Sequence, residues 1–177
     1  KYACGYLYMY LSELDYCKVA KNGEEVVGFI FGRCNKVSLA KRINYKTKLL
    51  FLGLSLLFSN AGRRGLKITR ITNKTNKALY KNSPVKPTCE LVLFIVDSRY
   101  RGQSIGSTLE KNFCEYLISQ GRDAVYLYTD TYSNYAFYER RGYVRFGEME
   151  VNFNLPEEEG EPLPKYYIYA KELKQKQ

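Results

Sequence analysis

The stretch Glu90–Val96, ELVLFIV, restricts this chain more than any other. It is a nearly continuous apolar run with β-branched residues, so it reads as a central strand buried on both faces. A loop follows, Asp97 to Ser104. Then Ile105–Gln120 carries Ile105, Leu109, Phe113, Tyr116 and Leu117 at helical spacing, with Gly121 as the stop. Val125–Tyr128 reads as a second buried strand, and Asn134–Arg140 as a short helix ending at Gly142. Tyr143–Phe153 and Tyr166–Ala170 read as strands, joined by the acidic loop Glu157–Glu161. Upstream, residues 5–14 either end a helix or form a strand. Cys17–Ala20 and Val26–Phe31 flank Lys21-Asn22-Gly23-Glu24, and Asn-Gly between apolar runs is a strong hairpin signal. The order strand–helix–strand–helix–strand–strand after a hairpin indicates an α/β sheet of mixed direction.

Between hairpin and central strand the chain changes character. From Asn35 to Pro87 there are 13 Lys and Arg residues and no acid. The remainder carries 15 basic and 18 acidic residues, so the net charge of +10 is a regional property. Residues 35–88 are therefore expected to be a basic helical insertion in a single domain spanning 1–177. Leu39–Phe58 reads as a helix stopped by Asn60-Ala61-Gly62. Gly65–Tyr80 reads as a second helix, weakened by Ile68, Thr69, Ile71 and Thr72. The insertion is either a surface for nucleic acid, anionic lipid or a phosphorylated ligand, or a solvated face. No aromatic stacking pattern accompanies the charge, and this favours the solvated face.

Several chemistries are excluded. The chain has no histidine, hence no Ser-His-Asp triad, no Cys-His dyad and no HExxH zinc site. It has no Gly-x-Gly and no Gly-Lys pair, so the dinucleotide fingerprint and the P-loop are missing. Cys4, Cys17, Cys34, Cys89 and Cys114 are widely spaced, with no CxxC, so no metal site is expected. They read as reduced, mostly buried thiols of a cytoplasmic protein. The longest apolar run, Leu49–Phe58, has ten residues, against about 20 for a bilayer span. The chain begins at Lys1, which reads as a start other than the native one.

A buried strand running through a short loop into a helix makes an anion site. The first helical amides lack partners, and the helix dipole is positive there. Arg101-Gly102-Gln103-Ser104-Ile105-Gly106 sits at such a junction, and its natural ligand is a pyrophosphate. Gly102 and Gly106 allow close backbone approach, and Arg99 and Arg101 add positive charge. About 30 residues on comes Asn134-Tyr135-Ala136-Phe137-Tyr138-Glu139-Arg140-Arg141-Gly142-Tyr143.

With these two motifs in order, the chain resembles the GNAT superfamily of acetyl-CoA-dependent N-acetyltransferases. The family's acyl-CoA loop runs Arg/Gln-x-x-Gly-x-Gly/Ala. Its second motif runs Asn, Ala, Phe-Tyr, a charged pair, then Gly-Tyr/Phe. The likeness covers Glu90–Glu148 and the Cys17–Phe31 hairpin. Ser104 departs from it by standing where the first Gly is usual. So does the basic segment, which replaces a short connection, and before the hairpin the sequence offers no match to the family's first strand and helix. The resemblance implies a mixed, mostly antiparallel central sheet flanked by helices, and direct transfer of an acetyl group from acetyl-CoA to a primary amine. It implies that the amides of Gln103, Ser104, Ile105, Gly106 and Ser107 cradle the pyrophosphate beside Arg101 and Gly102. Asn134 holds the pantetheine arm. Phe94, Ile95 and Val96 border the thioester, with splayed amides near Ile95 as oxyanion donors. Tyr138 takes the acid position and Glu90 the base position, with Tyr128 and Asp130 as alternatives for the base or for substrate contact.

The expected partners are a small-molecule or peptide amine and a second copy of the chain. The acidic loop points to a cationic acceptor and the basic segment to an anionic one, so the acceptor stays open. The alternative is a catalytically inactive module on the same fold that binds acyl-CoA or nucleic acid.

Overall fold

The computed structural model describes residues 10–36, 38–40, 43–44, 46–48, 50, 58–84, 86–155, 160 and 162–173. β1 (Tyr16–Asn22) and β2 (Glu25–Arg33) form the expected hairpin, with Gly23 at φ +58 in its turn. Asn-Gly works here because glycine enters the left-handed region without a Cβ clash. Tyr10 and Leu11 end a helix, which settles the ambiguity of residues 5–14 as far as they are described.

The other elements are α1 (Asn60–Asn82), β3 (Cys89–Val96), α2 (Ile105–Ser119), β4 (Ala124–Asp130), α3 (Ala136–Arg140), β5 (Val144–Glu150) and β6 (Lys165–Glu172). The sheet order is β1-β2-β3-β4-β6-β5, and only β3 and β4 run parallel. This is the mixed, mostly antiparallel sheet expected above.

Alternation along the strands assigns the two faces. Val125 and Leu127 of β4 and Tyr167 and Tyr169 of β6 join Phe113 and Leu117 of α2 in the main core. The intervening residues point to α1. Tyr126 packs against Tyr80 with ring centroids 5.0 Å apart, and Tyr166 approaches Thr72. The helix after the central strand thus covers one face, and a helix of the basic segment covers the other.

Three expectations need correction. First, Asn60-Ala61-Gly62 is the first turn of α1, not a stop. The Ser59 hydroxyl caps that helix by accepting from Gly62 N at 3.0 Å. Upstream, every described residue from 39 to 50 is helical, as expected, and 51–57 lie outside the described residues. Second, β3 is fully buried only through Leu91. β4 pairs with it at residues 89–91 alone, so a gap opens beyond and Ile95 is 49% exposed. Third, Cys34 and Cys89 form a disulfide, whereas all five cysteines read as free thiols. Arg33 pairs with Glu90 across β2 and β3, which puts the two cysteines side by side at that end of the ladder. Cys17 and Cys114 are free, the latter buried. The acidic residues Glu157, Glu158, Glu159 and Glu161 lie outside the described residues.

Candidate active site

The gap between β3 and β4 widens into a cavity of about 1170 Å³. Its lining includes Glu90, Phe94, Ile95, Val96, Arg101, Gly102, Ser104, Ile105, Gly106, Ser107, Asn134 and Tyr138, but not Arg99, whose guanidinium is taken up by Asp97 and Glu25. Gln103 lies on the same loop but does not line the cavity.

One end of the cavity is an anion cradle. Thr108 N is the first amide to bond within α2, to Ser104 O at 2.9 Å. The amides of Ile105, Gly106 and Ser107 therefore have no intrahelical partner. Gly102 (φ +79) and Ser104 (φ 60) turn the loop so that its backbone curls around the helix start. A Cβ on Gly106 would lie 3.3 Å from the Phe94 ring, so the loop is packed close to β3.

The middle of the cavity is the open edge of β3. Asp97 N donates to Val27 O at 2.9 Å, so by alternation the amide of Ile95 also faces β2. The amides of Phe94 and Val96 then face the gap. The donors are the neighbours of Ile95 rather than Ile95 itself.

Tyr138 closes this part of the site. Its ring lies 5.7 Å from Tyr143 and 6.5 Å from both Phe94 and Tyr169. Burial pushes its phenol up to about 12, and the charge of Asp130 pushes the same way. It is therefore a proton donor throughout the neutral range. Asp130 accepts from Tyr132 N (3.0 Å) and Ser133 Oγ (2.8 Å), and so shapes the turn that presents Asn134. The N-cap position of α3 belongs to Tyr135, which leaves Asn134 exposed at the cavity.

At the far end stands Glu90, only 7% exposed. Its Oε2 accepts from Arg33 and, at 3.0 Å, from the Tyr126 hydroxyl. Arg33 also pairs with Glu13. Burial acts to lower the pKa of Arg33, but the Glu90 carboxylate outweighs it and the net direction is up. Tyr128 is pushed up by burial and then by Glu90. The sequence reading missed Arg33 and Tyr126; only the strand register brings them to Glu90. It also missed the wall that α1 supplies. Thr69, Thr72, Asn73 and Asn76 line the cavity at i, i+3, i+4 and i+7, and Asn76 Oδ1 is buried without a partner. That period was visible in the sequence, hidden among the lysines.

No described cysteine lines the cavity. Burial, then the charge of Glu110, pushes the Cys114 thiol up to about 12, which makes it a poor nucleophile. No helix among the described residues is long and apolar enough to cross a membrane.

The model of the Acetyltransferase (GNAT) family matches residues 3–143. Among solved structures, Naa20 of Chaetomium thermophilum in complex with a bisubstrate analogue is 15% identical. That match covers 97% of this chain and 73% of that one, with a TM-score of 0.56. The NatC complex bound to Gag peptide and CoA is 14% identical over 96% and 79%, with a TM-score of 0.52. An acetyltransferase from Bacillus cereus ATCC 14579 is 13% identical over 93% and 78%, with a TM-score of 0.51. At these identities the likeness is one of fold. No curated protein matches the chain.

Proposed function

The chain belongs to the GNAT acetyltransferase family, whose co-substrate is acetyl-CoA, and from that premise we propose that it transfers the acetyl group directly to a primary amine. One observation carries the reading. A single cavity joins the free amides of α2, the open edge of β3 and the Tyr138 phenol, the groups that a pyrophosphate, a thioester oxygen and a leaving sulfur each require.

Acetyl-CoA supplies the acyl group as a thioester with an electrophilic carbonyl carbon. The amides of Ile105, Gly106 and Ser107 hold its pyrophosphate, aided by Arg101, and the loop backbone from Gly102 through Gln103 to Ser104 gives room for it. Asn134 bonds the pantetheine arm. The amides of Phe94 and Val96 stabilise the negative charge that builds on the thioester oxygen. Tyr138 donates to the departing sulfur. A primary amine has a pKa near ~10.4 and must lose a proton before it attacks. Glu90 accepts that proton. Arg33 and Tyr126 both occupy Oε2, leaving Oε1 to take the proton through water, since Glu90 and Phe94 stand four residues apart along β3. The acceptor is a small-molecule or peptide amine that enters along α1, the wall supplied by residues 35–88, which we take as an insertion into the family's fold.

Calorimetry with acetyl-CoA, followed by CoA-thiol release with a panel of amines, tests this. The expected result is micromolar binding and thiol release that depends on the amine, with no acetyl group left on the protein. No binding, or an acetylated protein intermediate, overturns it.

A further inference from the structure

All seven charged residues of α1 are basic. Six of them, Arg63, Lys67, Arg70, Lys74, Lys77 and Lys81, follow at steps of four and three and so form one stripe. At 1.5 Å per residue the stripe is about 27 Å long. Every member is exposed. Lys67 reaches Asn154 O at 3.0 Å. Among the described residues, no carboxylate pairs with Arg70, Lys74, Lys77 or Lys81.

This arrangement works against the helix that carries it. Like charges at i, i+4 repel, as in Arg63/Lys67, Arg70/Lys74 and Lys77/Lys81. Arg63 and Arg64 stand near the N-terminus, where the helix dipole disfavours cations, and the first turn holds no acid. Helix stability does not account for the stripe. Its position supplies a reason. Leu66, Arg70, Lys74 and Lys77 border a shallow groove of about 510 Å³ together with Thr69 and Asn73, and those last two also line the active cavity. The cations flank the mouth through which an acceptor enters.

We propose that the acceptor is a peptide whose reactive amine is followed by acidic side chains, which lie along the α1 stripe. This rests on the acetyltransferase reading and deepens it. A chain extended at about 3.4 Å per residue needs roughly eight residues to follow the stripe. Thr69 and Asn73 stand at the threshold with side chains able to bond its backbone. Nucleic acid fits less well. The one aromatic residue of α1, Tyr80, packs its ring against Tyr126, so no base-stacking platform lines the stripe. A nucleic acid also brings no primary alkyl amine to the cavity.

The test uses three peptides of about twelve residues. Each has a free N-terminus and the same first two residues, followed by acidic, neutral or basic residues. Acetylation is read as kcat/KM. Binding is read separately, by fluorescence anisotropy of the same peptides with blocked amines. The proteins are the wild type and Arg70→Ala/Lys74→Ala/Lys77→Ala, with a thermal melt and acetyl-CoA affinity as controls for folding. Lys74→Gln alone is a milder second variant. The acidic peptide is expected to lead the neutral one about tenfold at low salt. That lead collapses at about 0.5 M salt and in the triple variant, while the neutral peptide keeps its rate. Equal rates for the three peptides overturn the inference and leave the acetyltransferase reading intact. Stripe-dependent binding of the acidic peptide with no acetylation of any amine overturns the acetyltransferase reading instead. Tighter stripe-dependent binding of a single-stranded RNA or an anionic vesicle than of the acidic peptide overturns the proposal in favour of that partner.

Discussion

Arg141 meets one carboxylate oxygen of Glu110 twice, by a hydrogen bond from Nε at 2.8 Å and an ion-pair contact from Nη2 at 2.7 Å. Lys171 takes the other oxygen at 2.9 Å, and Glu110 has no exposed surface. The pair fastens the chain just after α3, which carries Tyr138, to the helix whose first turn forms the anion cradle. Tyr138 thus keeps its distance from the cradle through a charged clamp that neither binding motif contains on its own.

Glu110→Gln leaves two cations facing a neutral amide in the interior. The expected loss is about 3 kcal/mol of unfolding free energy at neutral pH, measured by urea denaturation. The pH dependence has a definite sign. Burial pushes the Glu110 carboxyl up, but the bonds from Lys171, Cys114 and Arg141 outweigh it, so the folded value lies below the ordinary one. Its stabilisation is therefore fully present above about pH 4.3 and is lost as pH falls through the lowered value. Wild type should lose stability across that acid range more steeply than Glu110→Gln. Parallel acid limbs would contradict the clamp.

Ser104 holds φ 60, the conformation that the family's glycine adopts without strain. A non-glycine residue there costs about 1–2 kcal/mol, and a glycine gives back about 0.4–1 kcal/mol through the freedom it adds to the unfolded chain. Ser104→Gly should therefore raise stability by about 0.5–1 kcal/mol, with acetyl-CoA affinity unchanged or improved. Ser104→Val should lower both, because a β-branched side chain is the most strained in this region. A drop in affinity for Ser104→Gly would mean that the hydroxyl, rather than the backbone, serves the ligand.

The elements that sequence revealed are those fixed by local pattern. Glu90–Val96 and Val125–Tyr128 are β-branched runs, Ile105–Gln120 has helical period, and Asn22-Gly23 can only turn. The site motifs were legible because backbone geometry imposes them, Gly106 by close approach to Phe94 and Gly102 and Gly142 by φ +79 and +82. What stayed hidden depends on register between distant segments. Arg33 meets Glu90, and Cys34 meets Cys89, only because β2 and β3 pair as they do across the whole basic segment. Asn60-Ala61-Gly62 misled because glycine is common at both helix ends, and Ser59 was the residue that decided which. The role of α1 was hidden for another reason. Its charge drew attention to the outer face, while Thr69, Thr72, Asn73 and Asn76 carry the face that meets the cavity.

Gly32 offers a test of the core beneath the hairpin. A Cβ there would overlap the Phe113 ring, which is fully buried and packs against Tyr16 with ring centroids 4.9 Å apart. Gly32→Ala should cost about 1–3 kcal/mol through overpacking. Phe113→Leu removes the obstructing ring edge, so the double variant should lose less than the sum of the single losses, by about 1 kcal/mol. Strict additivity in urea denaturation would show that the ring moves aside freely.

Tyr138→Phe separates donation from packing, since the ring and its contacts to Phe94, Tyr143 and Tyr169 remain. The expected fall in kcat is about 10²-fold or more, with the KM for acetyl-CoA changed little. The pH profile of the wild type gives an independent check. With its phenol pushed up to about 12, Tyr138 stays protonated through the alkaline range. The only group near the cavity that must lose a proton there is the acceptor amine, at about 10.4. The wild-type kcat/KM should therefore keep rising to about pH 10 with no descending limb. A descent beginning below about pH 9 would assign the donor to a group of lower pKa and remove Tyr138 from that role.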